Sequence, residues 1–239
     1  MWVELQRVSI QGGQGTSEKP ILFNTEMVRA ILDGSKTQTR RPITAANSTV
    51  CGARVTSKSP LWTGLVWDDN VFPDKGPHIL HPSPSGYLHV PWVNPQESGE
   101  TLVFRVRCRH DVGDRLWLKE AWTNSGEWVS ENYIYKANGT PLPQHHTWHS
   151  SMSMPRRASR ITLELVNVWP ERVQEIRDGD IVQEGIRDLR RGIVPELLVP
   201  HNITEMRQRF QGLWDSIYAK KGFGWDTNPF CWVYEFKQL

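Results

Sequence analysis

A lysine, a threonine and two arginines fall close together at Lys36, Thr39, Arg40 and Arg41, just behind Gly34. A threonine hydroxyl is a weak nucleophile near neutral pH and needs a base within hydrogen-bond reach. Lysine can be that base only if burial or a nearby cation lowers its pKa, and Arg40 and Arg41 are placed to supply the second effect. Residues of these types support proton transfer between a hydroxyl or a water and a lysine of lowered pKa. A second reading needs no reaction: Lys36, Arg40 and Arg41 form a solvated basic strand that touches phosphates, and Thr37 and Thr39 are β-formers. Spacing sets one condition. Residues 36 and 39 are an odd number apart, so a regular strand would turn them to opposite faces. They share a pocket only if a turn or bulge intervenes, which Gly34 makes feasible just ahead of the strand.

Other clusters carry weaker signals. Met154-Pro155-Arg156-Arg157-Ala158-Ser159-Arg160 holds three arginines before a strand, read either as an exposed basic loop or as a phosphate or base contact at a pocket rim. Glu120 and Trp122 follow a glycine turn and stand where a cavity wall would be, with packing the plainer role for Trp122. His145, His146 and His149 have the spacing of metal ligands on a helix, but Pro141, Pro143 and the flanking serines indicate a loop, so no metal or other cofactor is expected.

The elements that must position these residues are best defined at the start. A short apolar strand at Pro20-Ile21-Leu22-Phe23 leads into a helix capped at Thr25, with Met27, Val28, Ile31 and Leu32 at helical spacing and Gly34 as its stop. A basic strand, Lys36 to Pro42, follows. Residues 43–100 lose periodicity and are rich in proline, glycine, serine and tryptophan, which reads as an insertion of irregular loops with short hairpins. Strands are expected at Thr101 to Arg109, Arg115 to Trp122, Tyr133 to Tyr135, Arg160 to Val168 and Phe230 to Phe236. Helices are expected from Val173 to Ile186, broken by Gly179, and from Thr204 to Ala219. Strands with a few interspersed helices make an α+β protein around a small curved sheet or barrel. Residues 1–19 read as a flexible extension and 20–239 as one domain.

Composition narrows the class. The 239 residues carry a formal charge of only +2, so a general electrostatic grip on duplex DNA is not indicated, and any nucleic-acid contact must be local. Cys51, Cys108 and Cys231 are odd in number and scattered, which fits a reducing cytoplasm. No apolar run reaches the ~20 residues of a membrane span, and no signal-peptide core leads the chain. Twelve tryptophans supply core volume and a possible choice of stacking platforms for bases.

The block beginning Gly34-Ser35-Lys36-Thr37-Gln38-Thr39-Arg40 resembles the Gly-x-Lys-x-x-Thr-x-Arg pattern of ASCH domains, a branch of the PUA-like β-barrel superfamily. Gly113-Asp114-Arg115-Leu116-Trp117, Gln183-Glu184-Gly185 and Trp232-Val233-Tyr234-Glu235-Phe236 resemble further family segments in the same order. The wording of Ile21–Pro42, Gly113–Trp122, Met154–Ile161 and Leu213–Phe236 is similar to phage and prophage ASCH-like proteins, and the resemblance spans about half the chain. It implies a PUA-like barrel with flanking helices, extended by the 43–100 insertion, in a host cytoplasm if phage-encoded. The motif is similar to that of N4-acetylcytidine amidohydrolases, which implies Lys36, Thr39 and Glu184 as catalytic residues and an acylated pyrimidine nucleoside as substrate. Two alternatives stay open. One is a non-catalytic module for modified or single-stranded bases in RNA or DNA, using Arg40, Arg41, Glu120, Trp122, Arg156, Arg157 and Arg160. The other is a ribonuclease.

Overall fold

The computed structural model describes residues 18–44, 48–51, 87–93, 101–124, 133–142, 144–186 and 203–239. Most of the 43–100 insertion, and all of residues 1–17, therefore lie outside the described residues. The chain forms β1 (Glu18–Leu22), α1 (Thr25–Leu32), β2 (Gln38–Pro42), β3 (Ser48–Cys51), β4 (Tyr87–Val93), β5 (Thr101–Cys108), β6 (Arg115–Lys119), β7 (Trp122–Asn124), β8 (Tyr133–Tyr135), β9 (Thr162–Arg172), α2 (Asp178–Gln183), α3 (Ile203–Tyr218) and β10 (Phe230–Gln238). It is an α+β fold.

Its main sheet has five strands in the order β1-β6-β9-β10-β2, with β1 parallel to β6 and the other pairs antiparallel. The expected barrel is not closed: among the described residues β1 and β2 are the two edges, without a ladder between them. Side chains join these edges instead. Arg41 reaches across from β2 to donate from Nη2 to the Leu22 carbonyl at 2.5 Å, and its guanidinium carbon lies 5.1 Å from the Phe23 ring centre. The remaining strands make a β3-β5-β4 sheet and the β7-β8 hairpin.

Alternation along β10 builds two cores from one strand. Phe230, Trp232, Tyr234 and Phe236 face a cluster with Leu116, Leu118, Leu163 and Leu165, while Cys231 and Val233 face a second cluster with Ile181, Phe210 and Trp214. α3 supplies that second cluster through Met206, Phe210, Trp214 and Tyr218, the apolar stripe expected of it. α1 is capped by Asn24 rather than Thr25: the Asn24 side chain accepts from the Met27 amide at 2.8 Å. Gly34, at φ +76°, ends the helix as its spacing predicts. The long strand expected from Arg115 to Trp122 is broken at Glu120 and Ala121, so that Trp122 pairs with Tyr135 in the hairpin.

One half-buried histidine gives the fold a pH dependence. The His110 ring stands edge-on to Tyr234, centres 5.4 Å apart, and burial together with Lys19 pushes its pKa down to about 4. The unfolded chain then binds a proton that the folded chain refuses between pH 6.5 and 4, so stability falls as pH falls through that window. From pH 7 to pH 5 the expected loss from this group is about 2 kcal/mol, and urea denaturation of a His110→Phe protein should lack that component.

Candidate active site around Lys36 and Glu184

Lys36 sits just ahead of β2, in an isolated antiparallel bridge with Glu184. Backbone hydrogen bonds hold this crossing: the Lys36 amide donates to the Ala30 carbonyl and the Thr37 amide to the Gln183 carbonyl, both at 2.8 Å. The C-terminal turn of α1 and the end of α2 are thereby locked together. Lys36 is 1% exposed, and its ammonium donates to Glu184 Oε2 at 2.7 Å, to the Gln38 carbonyl at 2.7 Å and to the Glu184 carbonyl at 2.8 Å. Burial lowers the Lys36 pKa. The Glu184 carboxylate opposes that shift without cancelling it, and Arg41 and Arg40 add to it.

Gly185 permits this closeness. Its φ is +83°, a region that side-chain-bearing residues rarely adopt. A Cβ there would meet the Ala30 Cβ at 2.8 Å and the Lys36 Cβ at 3.1 Å. Gly185→Ala is expected to cost about 2–4 kcal/mol, combining backbone strain and overpacking. Gly113→Ala is the control, since Gly113 has φ +89° but nothing within 4 Å of its would-be Cβ. Chemical denaturation should show the Gly113 variant losing only the strain part.

Arg40 stands opposite Val233 and so on the side of the second core. Its side chain is 0% exposed and touches three carboxylates: Nε donates to Glu171 Oε1 at 2.7 Å, Nη1 to Glu184 Oε1 at 3.1 Å and Nη2 to Asp180 Oδ2 at 3.2 Å. Burial acts against its charge, but Glu184 and Glu171 outweigh burial and raise its pKa. Glu184 is thus shared, one oxygen to Lys36 and the other to Arg40. Nothing in the sequence pointed to Glu171 or Asp180. Asp180 reads as an ordinary acidic residue in a helix's first turn, and Glu171 as one charge on a strand.

Thr39 is 2% exposed and stands opposite Tyr234, on the first core's side of β2. Because the strand begins at Gln38, Lys36 escapes strict alternation, and its ammonium folds back to the Gln38 carbonyl. Lys36 also lies 5.8 Å from the Phe23 ring centre, beside the same ring that Arg41 covers. No hydrogen bond joins Thr39 to Lys36 among the described residues. Arg41 is half-buried, and its Nη1 donates to the Tyr218 hydroxyl at 3.2 Å.

The remaining candidates form a second group. Glu120, 1% exposed, receives Arg160 Nε at 2.9 Å and Nη2 at 3.1 Å, and the Arg160 guanidinium carbon lies 4.0 Å from the Tyr135 ring centre. Trp122 is buried with Tyr135, Met154 and Ala158, and its ring contacts Tyr133 and the exposed His149. Arg156 and Arg157 are exposed, paired with Glu18 and with the Tyr133 hydroxyl. His145 adopts φ +69° in a turn, and no cluster of His, Cys, Asp or Glu suited to a metal occurs among the described residues. No helix there is long and apolar enough to cross a membrane.

Compared with known proteins, the chain matches no family model, no curated protein and no solved structure.

Proposed function

We propose that this chain is an ASCH-type, PUA-like amidohydrolase of the cytoplasm that removes an acyl group from the exocyclic nitrogen of a modified pyrimidine nucleoside. The observation that carries the reading is the buried Lys36 ammonium, 2.7 Å from the Glu184 carboxylate, with its pKa lowered by burial. A lysine in that state is suited to release and regain a proton during the reaction. In its neutral form, Lys36 takes the proton of the Thr39 hydroxyl as the Thr39 oxygen bonds to the acyl carbon. The carbon–nitrogen bond breaks as Glu184 relays to the leaving amine the proton that Lys36 has taken, which returns Lys36 to its neutral form. Water then frees the acyl group as a carboxylic acid and restores Thr39. If a water attacks in place of Thr39, the same proton transfers complete hydrolysis in one addition and one expulsion.

A binding module for single-stranded nucleic acid draws support from Arg156, exposed and 5.9 Å from the Trp117 ring centre, though Glu18 accepts two hydrogen bonds from its guanidinium. Arg40 gives that reading nothing, since three carboxylates engage its guanidinium. Ribonuclease chemistry through a bound metal draws no support either, because Glu171, Asp180 and Glu184 converge on Arg40.

Incubating purified protein with N4-acylated cytidines, and reading products by mass spectrometry, tests the proposal. Release of cytidine and the free acid is expected. An absence of turnover across acyl groups, combined with salt-sensitive retention of single-stranded RNA, would transfer the function to the binding reading.

A further inference from the structure

A cleft of about 320 Å³ opens between α1, the Glu184–Ile186 turn and α3. Its volume is at the low end for ligand pockets, room for a ring-sized ligand and not for a length of polymer. Met27 and Ala30 from α1, Ile186 from the turn and Leu213 from α3 give it apolar walls. Two arginines also line it, yet each has a carboxylate partner: Arg29 pairs with Glu26 at 3.0 Å and Arg209 with Glu205 at 2.5 Å. A cleft whose cations are already neutralised has little field to attract a phosphate chain. It suits an uncharged planar heterocycle, held by apolar contact on its faces.

Glu184 belongs both to this cleft and to the buried network behind it. The geometry points to the cleft as the docking site for the substrate's heterocycle, with Met27, Ile186 and Leu213 setting its fit. This placement rests on the amidohydrolase reading and adds a location to it. A ring lying against the wall formed by Glu184 and Gly185 stands next to the residue that holds Lys36, which lies buried behind the cleft lining.

The test uses the full chain with N4-acetylcytidine as substrate and cytidine as non-reacting probe. Leu213→Trp, which fills the cleft from α3, is expected to raise KM by about tenfold or more while kcat stays within about threefold. On the parent protein, cytidine is expected to shift the backbone amide resonances of Asn24–Asp33 and Glu184–Ile186, a readout that does not depend on how the variant folds. An unchanged KM in a folded Leu213→Trp protein would overturn the placement, as would amide shifts confined to other surfaces or absent altogether. Turnover without these effects removes the placement and leaves the hydrolase. Cleft shifts without turnover remove the hydrolase and leave the binding site.

Discussion

Lys36→Met is expected to lower deacylation by about 10²–10⁴-fold, the range that a lost general base usually costs. Methionine matches the length of the lysine stem but carries no proton, so the change removes the base with little change of volume. The Lys36 contacts are three: the Glu184 carboxylate, the Glu184 carbonyl and the Gln38 carbonyl. Their loss costs some stability, and a thermal melt must accompany the kinetics. Glu184 keeps its second partner, Arg40, so the carboxylate is not stranded. The parent enzyme supplies a readout that a purely structural lysine would not give. Only unprotonated Lys36 can accept a proton, so kcat/KM should climb with pH through the Lys36 pKa, which burial holds below 10.5. Activity falls away on the acid side of that pKa, and Lys36→Met flattens this limb of the profile. Thr39 separates the two routes. If Thr39 is the nucleophile, Thr39→Val abolishes turnover and Thr39→Ser keeps much of it; if water attacks, both variants remain active.

How far the sequence reveals this site depends on the reach of each interaction. The strand, helix, glycine stop and basic strand from Glu18 to Pro42 are local, set by spacing and by Gly34, and they are legible within a residue or two. Lys36 and Glu184 are 148 positions apart, and no periodicity joins them; their pairing was expected only through the family resemblance, and in the structure a two-residue backbone bridge brings them together. Arg40 shows the opposite failure. Beside Arg41 and Lys36 it reads as part of a basic surface, because sequence reports the charge of a residue and not the carboxylates that reach it from β9 and α2. The barrel illustrates a third limit. The strands expected to compose it are there, but the gap between β1 and β2 is crossed by the Arg41 side chain and not by a ladder, a difference of hydrogen-bond partner that residue patterns do not encode.

Arg40 yields the larger stability effect. Arg40→Ala should cost about 3–5 kcal/mol, the usual penalty for removing one side of a buried ionic network. The reason lies in what remains: Glu171, Asp180 and Glu184 converge without the guanidinium they share, while Glu184 keeps its contact with Lys36. Lysine at position 40 should recover little, because a single ammonium cannot present donors in the planar fork that reaches all three carboxylates. The pH dependence of the defect identifies its cause. Burial already pushes Glu171 above the ordinary carboxylate range even with Arg40 present, and without Arg40 the shift must grow. A carboxyl whose folded-state pKa lies above its unfolded value binds more protons when folded, so the variant gains stability as pH falls through that raised pKa. The gap between Arg40→Ala and the parent, measured by urea denaturation, should therefore be widest well above the raised Glu171 pKa and narrow as pH falls through it. A gap of constant size across that range would mean that Arg40 contributes by packing alone, and Glu184 would then be oriented for its partner Lys36 by the backbone bridge and not by the charge behind it.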